Sequence, residues 1–290
     1  MEQEEIFKIR SAKGCISAAW KWCCDQLGSL FRRTWLPITL LSVFAAVCRA
    51  LCYLQSRQIT GNIWLTIGII ISSICVFAAC AWAISRLYQL LSSPAGKKNM
   101  LRSAWALFCA CVLFVIIGFA VYGITLLTGH QWWIIVLSGT ILLLLTLPIH
   151  YYHVRYISEE PTPPSSAIAN YIKGFPNGLC RGYRYLGKLL TTNVLTLLML
   201  LTITAIMAIP VVTISIAEIQ SLSGATMGDP YDMPGSFIWL LAAITFVFIW
   251  LFYFLWQFLT VVNFYQYGSI EEHHREKQVS IKVDSDNSPS

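Results

Sequence analysis

Six stretches of almost unbroken apolar sequence punctuate the chain: Trp35 to Leu54, Ile63 to Ile84, Ala104 to Leu127, Trp132 to His150, Val194 to Ala217 and Phe237 to Val262. Each reaches the roughly 20 residues that a helix needs to cross about 30 Å of hydrocarbon, so the pattern predicts six transmembrane helices. Trp35, Tyr53, Trp64, Trp105, Trp132 and Trp133 stand at boundaries, where amphipathic rings anchor spans in the interface. Pro37 and Pro148 are expected to mark an entry and an exit turn, and Pro210, in the middle of its span, a kink.

The polar intervals have a pattern of their own. Ile168 to Leu190 is the longest interruption, and within it Leu179, Tyr183, Leu186 and Leu190 recur at helical spacing while Arg181, Arg184 and Lys188 project from the other face. The same design precedes the first span, where Ile16, Trp20, Cys23, Leu27 and Phe31 oppose Lys21, Asp25, Arg32 and Arg33. Both read as basic amphipathic helices lying on a lipid surface, with Lys21, Arg32, Arg33, Arg181, Arg184 and Lys188 towards anionic headgroups.

Composition agrees: 57% of the residues are hydrophobic and 12% charged, against about a quarter charged in soluble domains. The expected architecture is all-α and polytopic, with six spans arranged as three hairpins. Its divisions are an amphipathic amino-terminal segment (1–34), spans one to four (35–157), a cytoplasmic linker and amphipathic helix (158–190), spans five and six (191–263) and a cytoplasmic tail (264–290) that is disordered from Ser280. The first span reads as an uncleaved anchor, because no signal-peptide pattern precedes it. Under this layout all but Arg49 and Arg57 of the 20 basic residues fall on one side, which places both termini in the cytoplasm of a bacterial inner membrane. Each hairpin follows a basic segment, a hint of duplication. The net charge of +6 is dispersed beside the spans with no base-stacking face, which argues against nucleic acid. The ten cysteines fall in spans or cytoplasmic segments, so no disulfide framework is expected.

Candidate chemistry is sparse. His150 and His153 lie three apart at the end of span four, and His273 and His274 follow span six on the same side, a set that can be imagined around a metal. The competing reading is interfacial histidines and a solvated tail, and no cofactor is expected. The EEHHR run beyond the last span lacks the EExxxR spacing of intramembrane prenyl-protein proteases, and no GxSxG, P-loop or GxGxxG pattern occurs. All 14 acidic residues lie in loops, tails or span ends, so coupling to protons or sodium through a membrane carboxylate has no support. Thr191, Thr192, Asn193, Thr196, Thr202 and Thr204 on span five and Gln257, Thr260 and Asn263 on span six read as helix back-bonding or interhelical bonds before they read as an uncharged pathway. Asp229 and Asp232, in the external loop, read as part of a connector.

One charge lies within a span. Arg49 precedes the outer end of span one by five residues, about 7.5 Å at 1.5 Å per residue. It can snorkel to the outer headgroups, or it can pair with Glu218, which ends span five on the same side.

The end of the last span, NFYQYGSIEEHHRE from Asn263 to Glu276, gives an aromatic and polar turn followed by charges. In this and in its layout the chain resembles a loose group of bacterial six-span proteins, and is similar to the membrane domain fused to some glycerophosphodiester phosphodiesterases. The resemblance covers none of the phosphodiesterase catalytic sequence and so implies no enzyme activity. The leading expectation is a non-enzymatic membrane component that contacts lipid or a protein partner. A carrier or channel-like protein for an uncharged or lipidic substrate is the second, and a metal-dependent membrane enzyme the third.

Overall fold

Every apolar run becomes a helix that is longer than the run itself. The computed structural model describes residues 6–57, 62–91, 99–127, 132–158, 167–227 and 234–286, and these contain helix and no strand. In chain order the helices are α1 (Ala12–Asp25), α2 (Leu27–Ser56), α3 (Ile63–Leu91), α4 (Asn99–Leu127), α5 (Trp132–Ser158), α6 (Ala167–Arg184), α7 (Leu186–Thr226) and α8 (Phe237–Asp286). Ser11 caps α1, its hydroxyl accepting from the Gly14 amide at 3.2 Å. Five of them, α2, α3, α4, α7 and α8, are long and apolar enough to cross a membrane. The stretch expected as the fourth span forms the helix α5, 27 residues long, which is not among these five, and many side chains of its first half lie outside the described residues. Asp229 and Asp232 also lie outside them.

Three expectations change. Pro37 and Pro148 do not mark turns, since α2 and α5 run through them as α7 runs through Pro210. Apolar surroundings favour keeping a backbone helical across a proline, because neighbouring groups can satisfy the freed carbonyl. The stretch from Leu179 to Leu190 is not one helix: a turn at Tyr185 separates α6 from α7. The chain beyond Asn263 stays helical as far as Asp286, and 287–290 lie outside the described residues.

The chain divides into two compact units. One comprises Gly28–Arg86 and Leu197–Gln257. Its core joins Ile38 and Leu41 of α2, Ala79 and Ala83 of α3 and Tyr253 of α8. Alanines on α3 let the helix axes approach closely, the packing device available where lipid supplies no hydrophobic drive. Cys48 Sγ lies 3.6 Å from Ser73 Oγ, and a Cβ on Gly68 would lie 3.1 Å from a Leu51 methyl. With Leu41 beside Ala79, these contacts make α2 and α3 antiparallel. Phe31 stacks on Phe254 with ring centroids 5.7 Å apart, and Trp250 donates to the Thr39 hydroxyl at 3.3 Å. At the far end of α2, Tyr53 packs with Phe237 and Leu241.

The other unit comprises Met1–Leu27, Leu87–Thr196 and Phe258–Ser290. At its centre all ten residues of α8 from Val261 to Ile270 are buried, so this part of the helix has no exposed face. Tyr88 meets Phe264 at 6.1 Å between centroids, and Tyr151 and Phe7 meet Tyr267 at 5.9 and 6.4 Å. The amino-terminal segment is held against the same turn, with the Arg10 amide donating to Ser269 Oγ at 2.7 Å. Gly268 is required there, since a Cβ would stand 2.5 Å from the Ile6 carbonyl oxygen.

Helix α6 packs on α5 through three glycines at four-residue spacing. A Cβ would lie 2.9 Å from the Tyr152 hydroxyl at Gly174, 2.1 Å from the Tyr152 ring at Gly178 and 2.8 Å from Pro148 Cβ at Gly182. This small-residue face brings the two backbones together. It also means that α6 is docked on protein along Tyr171, Gly178 and Gly182, while Ile172, Pro176, Tyr183 and Arg184 stand exposed.

Candidate functional site

The most concentrated polar chemistry surrounds the buried turn of α8. Asn263, Gln266 and Ser269 recur every three residues, so their side chains share one side of the helix. Each finds a partner on α5 or α7. Asn263 Nδ2 lies 3.0 Å from His150 Nε2. Gln266 donates to the Lys188 carbonyl at 2.8 Å and its own carbonyl accepts from Asn193 at 3.3 Å. Lys188 Nζ donates to Ser269 Oγ at 2.9 Å. One turn further, Glu271 accepts from the Tyr151 hydroxyl and from Arg181 Nη1, each at 2.5 Å. Buried polar groups that are satisfied in this way fix one register of packing, because any slip leaves donors unpaired in a low-dielectric interior.

Two of the six cations expected at the lipid surface are half-buried and bonded to protein: Arg181 is held by Glu271 and Lys188 by Ser269. Lys188 lies three residues past the turn at Tyr185, on α7, and reaches Ser269 of α8. Lys21, Arg32, Arg33 and Arg184 are exposed. In α1 the buried side chains are Cys15, Ala19 and Trp22. Trp20, placed with the apolar face, is 59% exposed although its ring edge meets Phe258.

The four histidines considered for a metal each have a separate neighbour. His150 meets Asn263, His153 Nε2 lies 2.8 Å from the Tyr171 hydroxyl, the His273 ring stands edge-on to Tyr185 at 5.8 Å, and His274 lies 3.2 Å from Gln278. Among the described residues no group of three or more His, Cys, Asp or Glu is placed to hold a metal ion.

His153 is 6% exposed, and burial, helped by nearby His150, pulls its pKa down to about 3. The imidazole is neutral in the folded protein, while in an unfolded chain it takes up a proton near pH 6.5. Its folded pKa lies below its unfolded one, so its contribution to stability is complete above about pH 6.5. As pH falls from 6.5 towards 3, that contribution is lost at up to about 1.4 kcal/mol per pH unit. The unfolding midpoint of the purified protein should fall between pH 7 and pH 5, and His153→Gln should flatten that dependence. A variant with the same slope as the parent would remove His153 as the cause.

His153 and Tyr171 also close one end of an apolar groove of about 350 Å³ between α4, α5 and α6, lined further by Trp105, Phe108, Ile116 and Phe175. Burial raises the Tyr171 phenol well above its ordinary range, with Cys109 adding to the effect, so the hydroxyl keeps its proton. The groove offers an apolar surface with a hydrogen-bonding tip and no activated nucleophile.

The span threonines are internal to their helices: Thr191, Thr192, Thr196 and Thr202 each donate to the carbonyl four residues earlier, at 2.8 to 3.1 Å. Gln257 differs, since it is 1% exposed and, among the described residues, neither amide atom has a hydrogen-bond partner. Arg49 and Glu218 are joined through both guanidinium nitrogens and both carboxylate oxygens, with the Nη1 to Oε1 contact at 3.2 Å. Arg57 reaches Ser221 on the same pair of helices at 3.2 Å.

No family model, curated protein or solved structure matches the chain.

Proposed function

We propose that the chain is a non-enzymatic component of the bacterial cytoplasmic membrane, with six spans in three hairpins and both termini cytoplasmic, and that it contacts anionic lipid through exposed cations beside the spans. The observation that carries this reading is how cationic and apolar side chains share the exposed surface. Lys21 follows Trp20, Arg32 and Arg33 lie between Phe31 and Trp35, and Arg184 follows Tyr183. These four aromatic residues are 45 to 59% exposed. Rings and guanidinium groups side by side suit the interface, where one is wetted by chain and the other by phosphate. The antiparallel contacts between α2 and α3 support the hairpin layout, and the distribution of lysine and arginine supports the orientation. The similarity to membrane domains that accompany phosphodiesterases fits a part that holds or places rather than one that reacts.

In detergent, phosphatidylglycerol should raise the unfolding midpoint of the full chain more than phosphatidylcholine does, and 0.5 M salt should remove most of the difference, since exposed charges are screened within about 10 Å at 0.1 M salt. Equal stabilisation by the two lipids at low salt would reject lipid contact as the role of these cations. A reporter fused after Ser290 that proves active outside the cell would reject the orientation.

A further inference from the structure

Within the unit formed by Gly28–Arg86 and Leu197–Gln257, the start of α2 and the end of α3 enclose a cleft of about 460 Å³, lined by Ser29, Arg32, Arg33, Trp35, Trp82 and Arg86 among others. Its size falls within the range of small-ligand pockets, about 300–1,000 Å³. Three guanidinium groups line it and, among the described residues, no carboxylate does. Arg86 lies over the Trp82 ring at 5.8 Å. All three arginines are exposed.

A concavity lined by charges of one sign concentrates the positive potential and draws an anion into it. A planar fork of donors on each makes the favoured anion a tetrahedral oxyanion, which guanidinium groups grip with paired hydrogen bonds. The position narrows the choice further. Trp35 opens the first apolar run and Arg86 comes two residues after the second, so the cleft sits where hydrocarbon gives way to headgroups. Leu36 and Pro37 carry its lining towards the apolar part of α2.

We propose that this cleft binds a phosphate-bearing anionic group: the phosphate lies among Arg32, Arg33 and Arg86, and Trp35 and Trp82 flank whatever it is esterified to. The proposal rests on the lipid-contact reading and deepens it, replacing a diffuse attraction by one saturable site. Two sources share this chemistry, the headgroup of an anionic phospholipid and a soluble phosphate ester.

The test uses the purified full chain in neutral detergent, counting phosphatidylglycerol retained per chain by native mass spectrometry. The parent should hold one molecule through delipidation, and Arg32→Gln with Arg86→Gln should lose it, with affinity at least about tenfold weaker, since two charge-assisted contacts are removed. Lys21→Gln with Arg184→Gln should keep it. Arg86→Lys, which retains the charge and loses the fork, should weaken retention by less than the double variant. Unchanged unfolding midpoints in phosphatidylcholine establish that each variant folds. Millimolar inorganic phosphate that displaces the lipid identifies a soluble ester as the occupant, and phosphate that fails to displace it identifies the lipid. A cleft variant that retains lipid as the parent does overturns the site. If anionic preference then disappears only in the Lys21 and Arg184 variant, the broader reading stands without the cleft. A parent indifferent to headgroup charge overturns both.

Discussion

Gly182→Ala should lower the stability of the protein by about 2 kcal/mol or more, and Gly182→Leu should prevent α5 and α6 from packing at all. The added methyl would lie 2.8 Å from Pro148 Cβ and 2.9 Å from its Cα. A proline inside a helix cannot turn away, so the helices must separate. Overpacking of this kind costs roughly 1–3 kcal/mol for a small intrusion. Gly178→Ala meets the Tyr152 ring at 2.1 Å instead. That ring can rotate, but only by giving up its hydroxyl bond to the Tyr171 carbonyl at 2.5 Å and its edge contact with Phe175 at 5.5 Å. Gly187, just beyond the turn, is the control, because nothing lies within 4 Å of a Cβ there. Gly187→Ala should be neutral or stabilising by up to about 1 kcal/mol, the helix propensity difference. Thermal unfolding of the three alanine variants in one detergent decides the matter. If Gly182→Ala melts with Gly187→Ala, the glycine face does not set the packing of α6.

The second large effect is expected at Arg49 and Glu218. The Glu218 side chain is 8% exposed and that of Arg49 33%, so the carboxylate depends on the guanidinium more than the reverse. Removing one partner of a buried pair costs about 3–5 kcal/mol because the other charge is left without compensation. The partial exposure of Arg49 brings the expected loss for Arg49→Gln to about 2–4 kcal/mol. Arg49→Glu should cost more, by setting two carboxylates against each other, and Glu218→Arg should be equally damaging. The exchanged pair should recover part of the loss. A double variant no more stable than the sum of its two single changes would mean that the residues do not interact. A double variant at parental stability would make the pair independent of its orientation between α2 and α7.

What could be read in the sequence follows from how far apart the interacting residues lie. The helices were legible because membrane-length apolar runs carry their own signal, and Arg49 with Glu218 was legible because one charge of each sign ends a span on the same side. The glycine face was present at Gly174, Gly178 and Gly182, but the basic residues around it drew that stretch towards a lipid surface. Only the position of Tyr152 and Pro148 on a neighbouring helix shows that this side docks on protein. Asn263, Gln266 and Ser269 form a three-residue repeat that can be seen beforehand, yet their partners are 73 or more residues away, as Lys188 and Asn193 are, and periodicity within one helix does not name them. Helix ends were least legible, because a polar sequence such as Gln266 to Glu272 stays helical once its side chains are satisfied by other elements.

The ten buried residues of α8 from Val261 to Ile270 have a consequence for the order of assembly. The unit they fill includes Met1–Leu27 and Phe258–Ser290, so its centre is made long after its amino-terminal segment. At about 5–20 residues per second, the amino-terminal segment waits roughly 10–50 s before Gly268 and Ser269 exist for it to close upon. During that interval Cys15, Ala19 and Trp22 of α1 have no docking face in this unit from α8, and the membrane surface is the apolar environment at hand. On the lipid-contact reading proposed above, the helix that ends against protein would seek the surface until then, which would give its basic and aromatic residues a use before the fold is finished as well as after.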